Sequence, residues 1–150
     1  MEDPAARKAR YDDAVRGRPA PLAILDVPVV RANAIDLVRR AHGTPIRLAT
    51  KSLRVRSTIE SVSTMPGFAG LLGYSLAEAL FLVRAGSSQD VVVAYPTVDI
   101  AAIGALARDE RAAGAITLMV DCRDHLDLIE WAAGVGTAGV GTAGVGTAGV

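Results

Sequence analysis

Lysine is scarce in this chain. Against 14 arginines there are only Lys8, near the N-terminus, and Lys51, which directly follows the apolar run IRLAT at residues 46–50. Arginine stays protonated and cannot form a Schiff base, whereas a partly buried lysine can lose its proton and attack a carbonyl. Arg47, Arg54 and Arg56 lie close by in sequence. They are expected to favour the neutral amine and to attract an anionic phosphate or carboxylate. The plain alternative is a solvated charge at the start of a loop. The other apolar runs end at Asp26, Tyr74, Tyr95 and Asp121, and in parallel βα architectures such strand ends are where functional groups gather.

The remaining reactive residue types are dispersed. His42 and His125 lie far apart, and neither joins a spaced set of Cys, His or carboxylates, so no metal site is expected. Cys122, the single cysteine, has no base near it in sequence and reads as a small residue at a strand end. It also excludes an internal disulfide framework. With 16 basic and 16 acidic side chains the formal net charge is zero, which argues against a general nucleic-acid binder. The opening MEDPAARKAR is too charged for a signal peptide, and the expectation is a cytoplasmic protein with no membrane partner.

These groups must be positioned by a βα rhythm. Apolar, β-branched-rich runs recur at residues 22–27 (LAILDV), 46–50 (IRLAT), 69–74 (AGLLGY), 91–95 (VVVAY) and 115–120 (AITLMV). Runs apolar on both faces, separated by segments of helical period, describe a parallel sheet. Val30, Ala34, Leu37, Val38 and Ala41 share one helix face, and Gly43 supplies the stop. Ser75-Leu-Ala-Glu78 has the spacing of a capping box and places a helix start directly after the third run. STIESVST at residues 57–64 reads as an exposed helix face, and the charged segment around Arg7 to Asp13 as a solvated leading helix. Five βα units suit either an open doubly wound sheet or part of a (β/α) barrel. The turn Asp26-Val27-Pro28 carries no GxGxxG and no P-loop, which weighs against dinucleotide binding.

The last 19 residues, from Ala132, contain only Gly, Ala, Val and Thr, and GVGTA repeats from Gly134. That length approaches a membrane span, but each glycine costs a helix about 1 kcal/mol relative to alanine. A disordered low-complexity tail over 134–150 is the expectation.

The ordered strings are more specific than any single position. Pro21-Leu-Ala-Ile-Leu-Asp26, Asn33, and Pro45-Ile-Arg-Leu-Ala-Thr-Lys51-Ser-Leu-Arg54 follow one another, then Gly67-Phe-Ala-Gly-Leu-Leu and Tyr74-Ser-Leu-Ala-Glu-Ala79. Val91-Val-Val-Ala-Tyr-Pro96, Val120-Asp-Cys and His125-Leu-Asp-Leu-Ile129 complete the series. Over roughly residues 9 to 131 the chain resembles the alanine racemase N-terminal-domain superfamily, the fold type III pyridoxal-phosphate enzymes. Within it, the chain is most similar to the D-threonine aldolase and amino-acid deaminase (D-serine dehydratase-like) branch.

The resemblance implies a TIM-type parallel (β/α) barrel, incomplete at about five βα units over residues 21–133, after a helical lead-in at 1–20. It implies pyridoxal 5'-phosphate as cofactor, held by Lys51 as a Schiff base. Arg54 and Tyr95 are candidate cofactor-binding residues on the same rim by position alone, since neither maps to a family role. The implied activity is that of a lyase on D-amino acids, a deaminase/dehydratase or a threonine aldolase. Amino-acid racemisation, or mere cofactor binding without catalysis, are the alternatives. The family's remaining strands, its C-terminal β-domain and the divalent-metal site of that domain have no counterpart in these 150 residues. Activity of the 150 residues alone is therefore not expected. Family enzymes are often dimers, which makes a homodimer the implied partner beside the small-molecule substrate.

Overall fold

A computed structural model describes residues 2–137. The chain divides into two compact units, residues 1–36 and residues 37 onward. In the first, α1 (Pro4–Ala14) starts at Asp3, whose carboxylate accepts the Ala6 amide, and has no buried residue. The solvated leading helix is thus present.

α2 (Val27–Arg40) begins in the first unit and ends on two left-handed residues, His42 and Gly43, with φ of 48° and 87°. The glycine stop read from sequence is in place, one residue beyond a histidine that also adopts that strained conformation. The run at residues 22–27, expected as the first strand, is not one. Its last residue is already helical, the Asp26 carboxylate accepts the Val29 amide at 3.1 Å, and the Asp26 carbonyl accepts the Val30 amide. Residues 22–26 pair in no ladder among the described residues. Asp26 caps a helix with its Oδ1 and its carbonyl, as Asp does well, and an apolar pattern alone does not distinguish extended chain from strand.

The second unit holds a parallel sheet in the order β1-β2-β3-β4. β1 (Ile46–Ala49), β2 (Phe68–Gly73), β3 (Val91–Val93) and β4 (Ile116–Leu118) correspond to the remaining four apolar runs, trimmed at their ends. Parallel neighbours need crossovers, and right-handed crossovers in an order that never reverses carry their helices to one face. The burial pattern agrees. Leu71, Val91, Val93 and Ile116 are buried, while the alternate positions Leu72, Val92 and Thr117 are less so. The order also contains no switch point, so the described strands are not doubly wound.

β1 and β2 do not keep step. Ile46 aligns with Phe68 but Leu48 aligns with Leu71, leaving one extra residue on β2. Gly70 takes up the slack at φ +73°, a left-handed conformation that glycine adopts at little cost. Above it the Arg47 guanidinium reaches Asp90 at 2.8 Å, joining β1 to the turn before β3.

The helices cover the sheet as their periodicity requires. After α3 (Thr50–Leu53) comes α4 (Arg56–Ser63), which buries Thr58, Ile59 and Val62. Residues 57–64 are therefore not a wholly exposed face: the two apolar residues of a serine-rich segment suffice to turn one side inward. α5 (Leu76–Arg84) buries Leu76, Ala79, Leu80 and Val83, spaced i, i+3, i+4, i+7. α6 (Ile100–Ala107) and α7 (Glu110–Ala115) start at Asp99 and Asp109, whose side chains accept the Ala102 and Ala112 amides. α8 (Arg123–Thr137) packs on α6 and takes in the first residues of the GVGTA repeat. The expected disordered tail beyond Thr137 lies outside the described residues. Among those residues, no helix is long and apolar enough to cross a membrane.

Candidate functional site

The carboxyl ends of the strands gather three of the five strand-end residues named from sequence. Thr50 follows β1 and opens α3, and Lys51 is the next residue. Tyr74 follows β2, and Tyr95 lies two residues past β3. Lys51 Nζ donates to the Tyr95 hydroxyl at 3.1 Å and lies 5.5 Å from the centre of its ring. The two tyrosine rings meet edge to face, with centroids 5.6 Å apart and planes at 71°, a favourable arrangement of ring quadrupoles. Arg54 sits with its guanidinium 5.3 Å from the Tyr74 centroid, and its Nε donates to the Lys51 carbonyl at 3.3 Å. These four residues, with Ser75 and the loop Pro96-Thr97-Val98-Asp99, line an open cleft of about 660 Å³.

Glu78 sets the backbone that presents them. The Ser75 hydroxyl accepts the Glu78 amide at 3.2 Å, so one half of the expected capping box is present. The other half is redirected. Glu78 Oε2 accepts the Tyr74 amide at 2.9 Å and the hydroxyl of fully buried Thr50 at 2.6 Å. One carboxylate thus ties the residue before Lys51 to the backbone of Tyr74. Sequence reading assigned Glu78 to its own helix and missed this reach across the sheet. No local signal could have shown it, because Thr50 is 28 residues away.

The electrostatics of Lys51 differ from expectation. Its side chain is exposed, not partly buried. Hydrogen bonding to the Tyr95 oxygen holds its pKa above the ordinary lysine value, because a bond to the charged form favours that form. The neighbouring arginines do not favour the neutral amine. Arg47 is paired with Asp90, Arg56 lies 3.5 Å from Glu60, and Arg54 lies over Tyr74. Each arginine has its own partner, so the nearest influence on Lys51 is a phenol.

Asp26 and Asp121 do not join this site. The Asp26 carboxylate accepts from the Tyr11 hydroxyl at 2.6 Å and from Arg10 at 2.9 Å. Together with the Val29 amide these bonds lower its pKa to about 2. Asp121 lies 4.0 Å from Nδ1 of His125. His125, set aside as an isolated histidine in the sequence, is buried and donates from Nε2 to the Thr97 carbonyl at 2.7 Å. Cys122 is exposed. Among the described residues no three His, Cys, Asp or Glu side chains come together as metal ligands. A second hollow of about 590 Å³ between α5 and α6 is lined mainly by Leu80, Phe81 and alanines. Its charged members, Arg84 and Asp99, are engaged with Asp109 and the Ala102 amide.

Chemically, the cleft offers one primary amine, two phenols and one guanidinium. An amine can add to a carbonyl, aromatic faces can receive a flat ring, and a guanidinium can meet an anion. No protein-family model and no curated protein matches this chain.

Proposed function

We propose that this chain forms part of a fold type III pyridoxal-phosphate enzyme acting on D-amino acids, of the deaminase/dehydratase or threonine-aldolase type, with Lys51 as the cofactor's anchoring amine. The observation that carries the reading is the position of Lys51: it opens the loop after β1, and its Nζ sits against Tyr95 inside the strand-end cleft. The unreversed strand order supports the barrel, since a closed (β/α) sheet is built from such steps.

The donor set fits the group. Pyridoxal phosphate joins an aldehyde, a flat aromatic ring and a dianionic phosphate. Here an amine, two tyrosine rings and the Arg54 cation face one cleft. When bound, the cofactor would supply an electron sink for a carbanion at the substrate Cα. Lys51 would hold the cofactor's aldehyde through its Nζ, and the Tyr95 oxygen is the neighbouring atom that orients this nitrogen. Tyr74 and Tyr95, meeting edge to face, offer aromatic surface along one side of the cleft. Arg54, stacked on Tyr74, attracts a phosphate or carboxylate. Glu78 accepts from the Thr50 hydroxyl and the Tyr74 amide, which ties the residue before Lys51 to the start of the Tyr74 turn.

Capture of the cofactor without turnover is the second reading. One observation favours it: Lys51 is exposed and its charged form is stabilised by Tyr95, which slows its attack on a carbonyl at neutral pH.

The test is to mix the purified protein with pyridoxal phosphate, reduce with borohydride and map the adduct by mass spectrometry. The expected result is a reducible absorption band and a mass increment on the peptide containing Lys51, both lost in Lys51→Ala. Turnover of D-serine or D-threonine then separates the enzyme from the binder. No adduct, or one that survives removal of Lys51, overturns the assignment.

A further inference from the structure

His125 belongs to neither the sheet nor the cleft lining, yet its contacts lead into the cleft. It stands in the first turn of α8, and its side chain is 5% exposed. Nε2 lies 2.7 Å from the carbonyl oxygen of Thr97. A carbonyl only accepts, so Nε2 carries the hydrogen and the tautomer is fixed. The opposite nitrogen, Nδ1, is buried without a hydrogen-bond partner among the described residues, and the nearest carboxylate oxygen, of Asp121, is 4.0 Å away. A side chain present only to fill space would be better as leucine, which leaves no buried nitrogen unpaired. The bond from Nε2 to Thr97 is therefore what His125 contributes here.

It holds the wall of the Lys51 cleft. Thr97 is two residues beyond Tyr95 and lines the same cleft. The segment has few other ties. The Asp99 amide donates to the Thr97 hydroxyl at 3.2 Å, and the Asp99 carboxylate caps α6. Those bonds stay within the loop and the helix it enters. The His125 bond alone among these joins the loop to α8. Tyr95, at the loop's start, has an exposed side chain whose partners are Lys51 and Tyr74.

We infer that His125 is a positioning residue for Lys51: by gripping the Thr97 carbonyl it fixes the Pro96–Asp99 wall, and through it keeps the Tyr95 hydroxyl on the Lys51 amine. Loss of the grip frees the phenol, and the amine, no longer donating to Tyr95, spends more of its time uncharged and reactive. The inference rests on Lys51 being the reactive amine of the cleft, but not on the identity of the carbonyl compound that it meets.

The experiment uses propanal with cyanoborohydride across a range of pH, reading alkylation of Lys51 against Lys8 in the same sample by mass spectrometry. Lys8 is exposed on α1 and serves as the internal reference. In His125→Leu, and equally in Tyr95→Phe, the Lys51-to-Lys8 ratio is expected to rise roughly threefold or more at neutral pH. The pH profile of Lys51 moves to lower pH. His125→Gln places an amide N–H where Nε2 was and is expected to restore the original profile. In a Tyr95→Phe background, His125→Leu is expected to add nothing further, because both act on one contact. If His125→Leu does not fold, His125→Asn, which is too short to reach Thr97, takes its place.

An unmoved profile in the leucine or asparagine variant, while Tyr95→Phe shifts it, overturns the inference. So does a glutamine variant that behaves like leucine. Because propanal is the probe, a shifted profile in a protein that fails to capture pyridoxal phosphate supports the His125 link and removes the cofactor assignment instead.

Discussion

The two ends of the sheet are built from the same three strands and make opposite use of them. At the amino end, a cation on β1, Arg47, passes over Gly70 of β2 to a carboxylate before β3, Asp90. At the carboxyl end, a cation after β1, Lys51, reaches a residue after β3, Tyr95, beside Tyr74 at the end of β2. The first cation meets its opposite charge and is satisfied. The second meets a phenol, which accepts one hydrogen bond and supplies no compensating charge. The first arrangement closes a structure, whereas the second keeps an amine available to a ligand. What separates a brace from a site here is the partner of the cation, not its position on the strand.

The difference can be broken first at Gly70. A Cβ there would sit 2.3 Å from Arg47 Nη1 and 2.6 Å from Asp90 Oδ2, and the φ of +73° is strained for any other residue. Gly70→Ala is expected to cost about 2 kcal/mol or more in urea unfolding, with the alkylation profile of Lys51 unchanged. The brace would then have been lost without the site. Glu78→Ala acts at the other end. It leaves the Tyr74 amide without its acceptor and the buried Thr50 hydroxyl with only the longer contact to the Leu72 carbonyl at 3.4 Å, at about 1–3 kcal/mol. Unlike Gly70→Ala, it should also alter adduct formation at Lys51, because both backbones that present the cleft are released.

Smaller effects sharpen the contrast. Arg47→Ala removes an ion pair whose members are 39% and 53% exposed, so the loss should be no more than about 1 kcal/mol and should shrink in salt. The amino-terminal unit gives the smallest signal. Asp26 is held at a pKa of about 2 by Tyr11, Arg10 and the Val29 amide, against a reference value of 3.8. A lowered carboxyl pKa contributes stability that is complete above the reference value and is lost as pH falls towards 2. Asp26→Asn should therefore flatten the acid limb of stability in that window, as followed by circular dichroism. A limb unchanged by the substitution would show that the carboxylate is equally well held in the unfolded chain.

The parts legible in the sequence were those whose cause is local. Four of the five apolar runs became strands, because residues such as Val91, Val92 and Val93 suit a ladder wherever they are placed. Ser75 announced a helix start and provides one. Lys51 stood out by rarity and lies in the cleft with Arg54 and Tyr95. The pattern failed where an outcome depends on a distant partner. Residues 22–27 have the composition of a strand, but Asp26 turns its acceptors to a helix start. Glu78 has the right spacing for a local cap, yet its carboxylate crosses to Thr50. Arg47 and Arg56 looked like neighbours of Lys51 until Asp90 and Glu60 engaged them. His125 looked inert because its side-chain hydrogen bond among the described residues is to a backbone carbonyl 28 residues away, and a backbone carbonyl carries no residue identity.

The crossing at Gly70 also constrains how this sequence can drift. Arg47, Gly70 and Asp90 are bound as a triplet: while the long side chain passes over position 70, no larger residue can enter there. Substitutions at 70, which the left-handed backbone strains in any case, should be tolerated first in chains that have already shortened position 47 or withdrawn position 90. Across descendants of this sequence the three positions should therefore covary in a fixed order, the side chains yielding before the glycine, while the exposed Ala69 beside them varies freely.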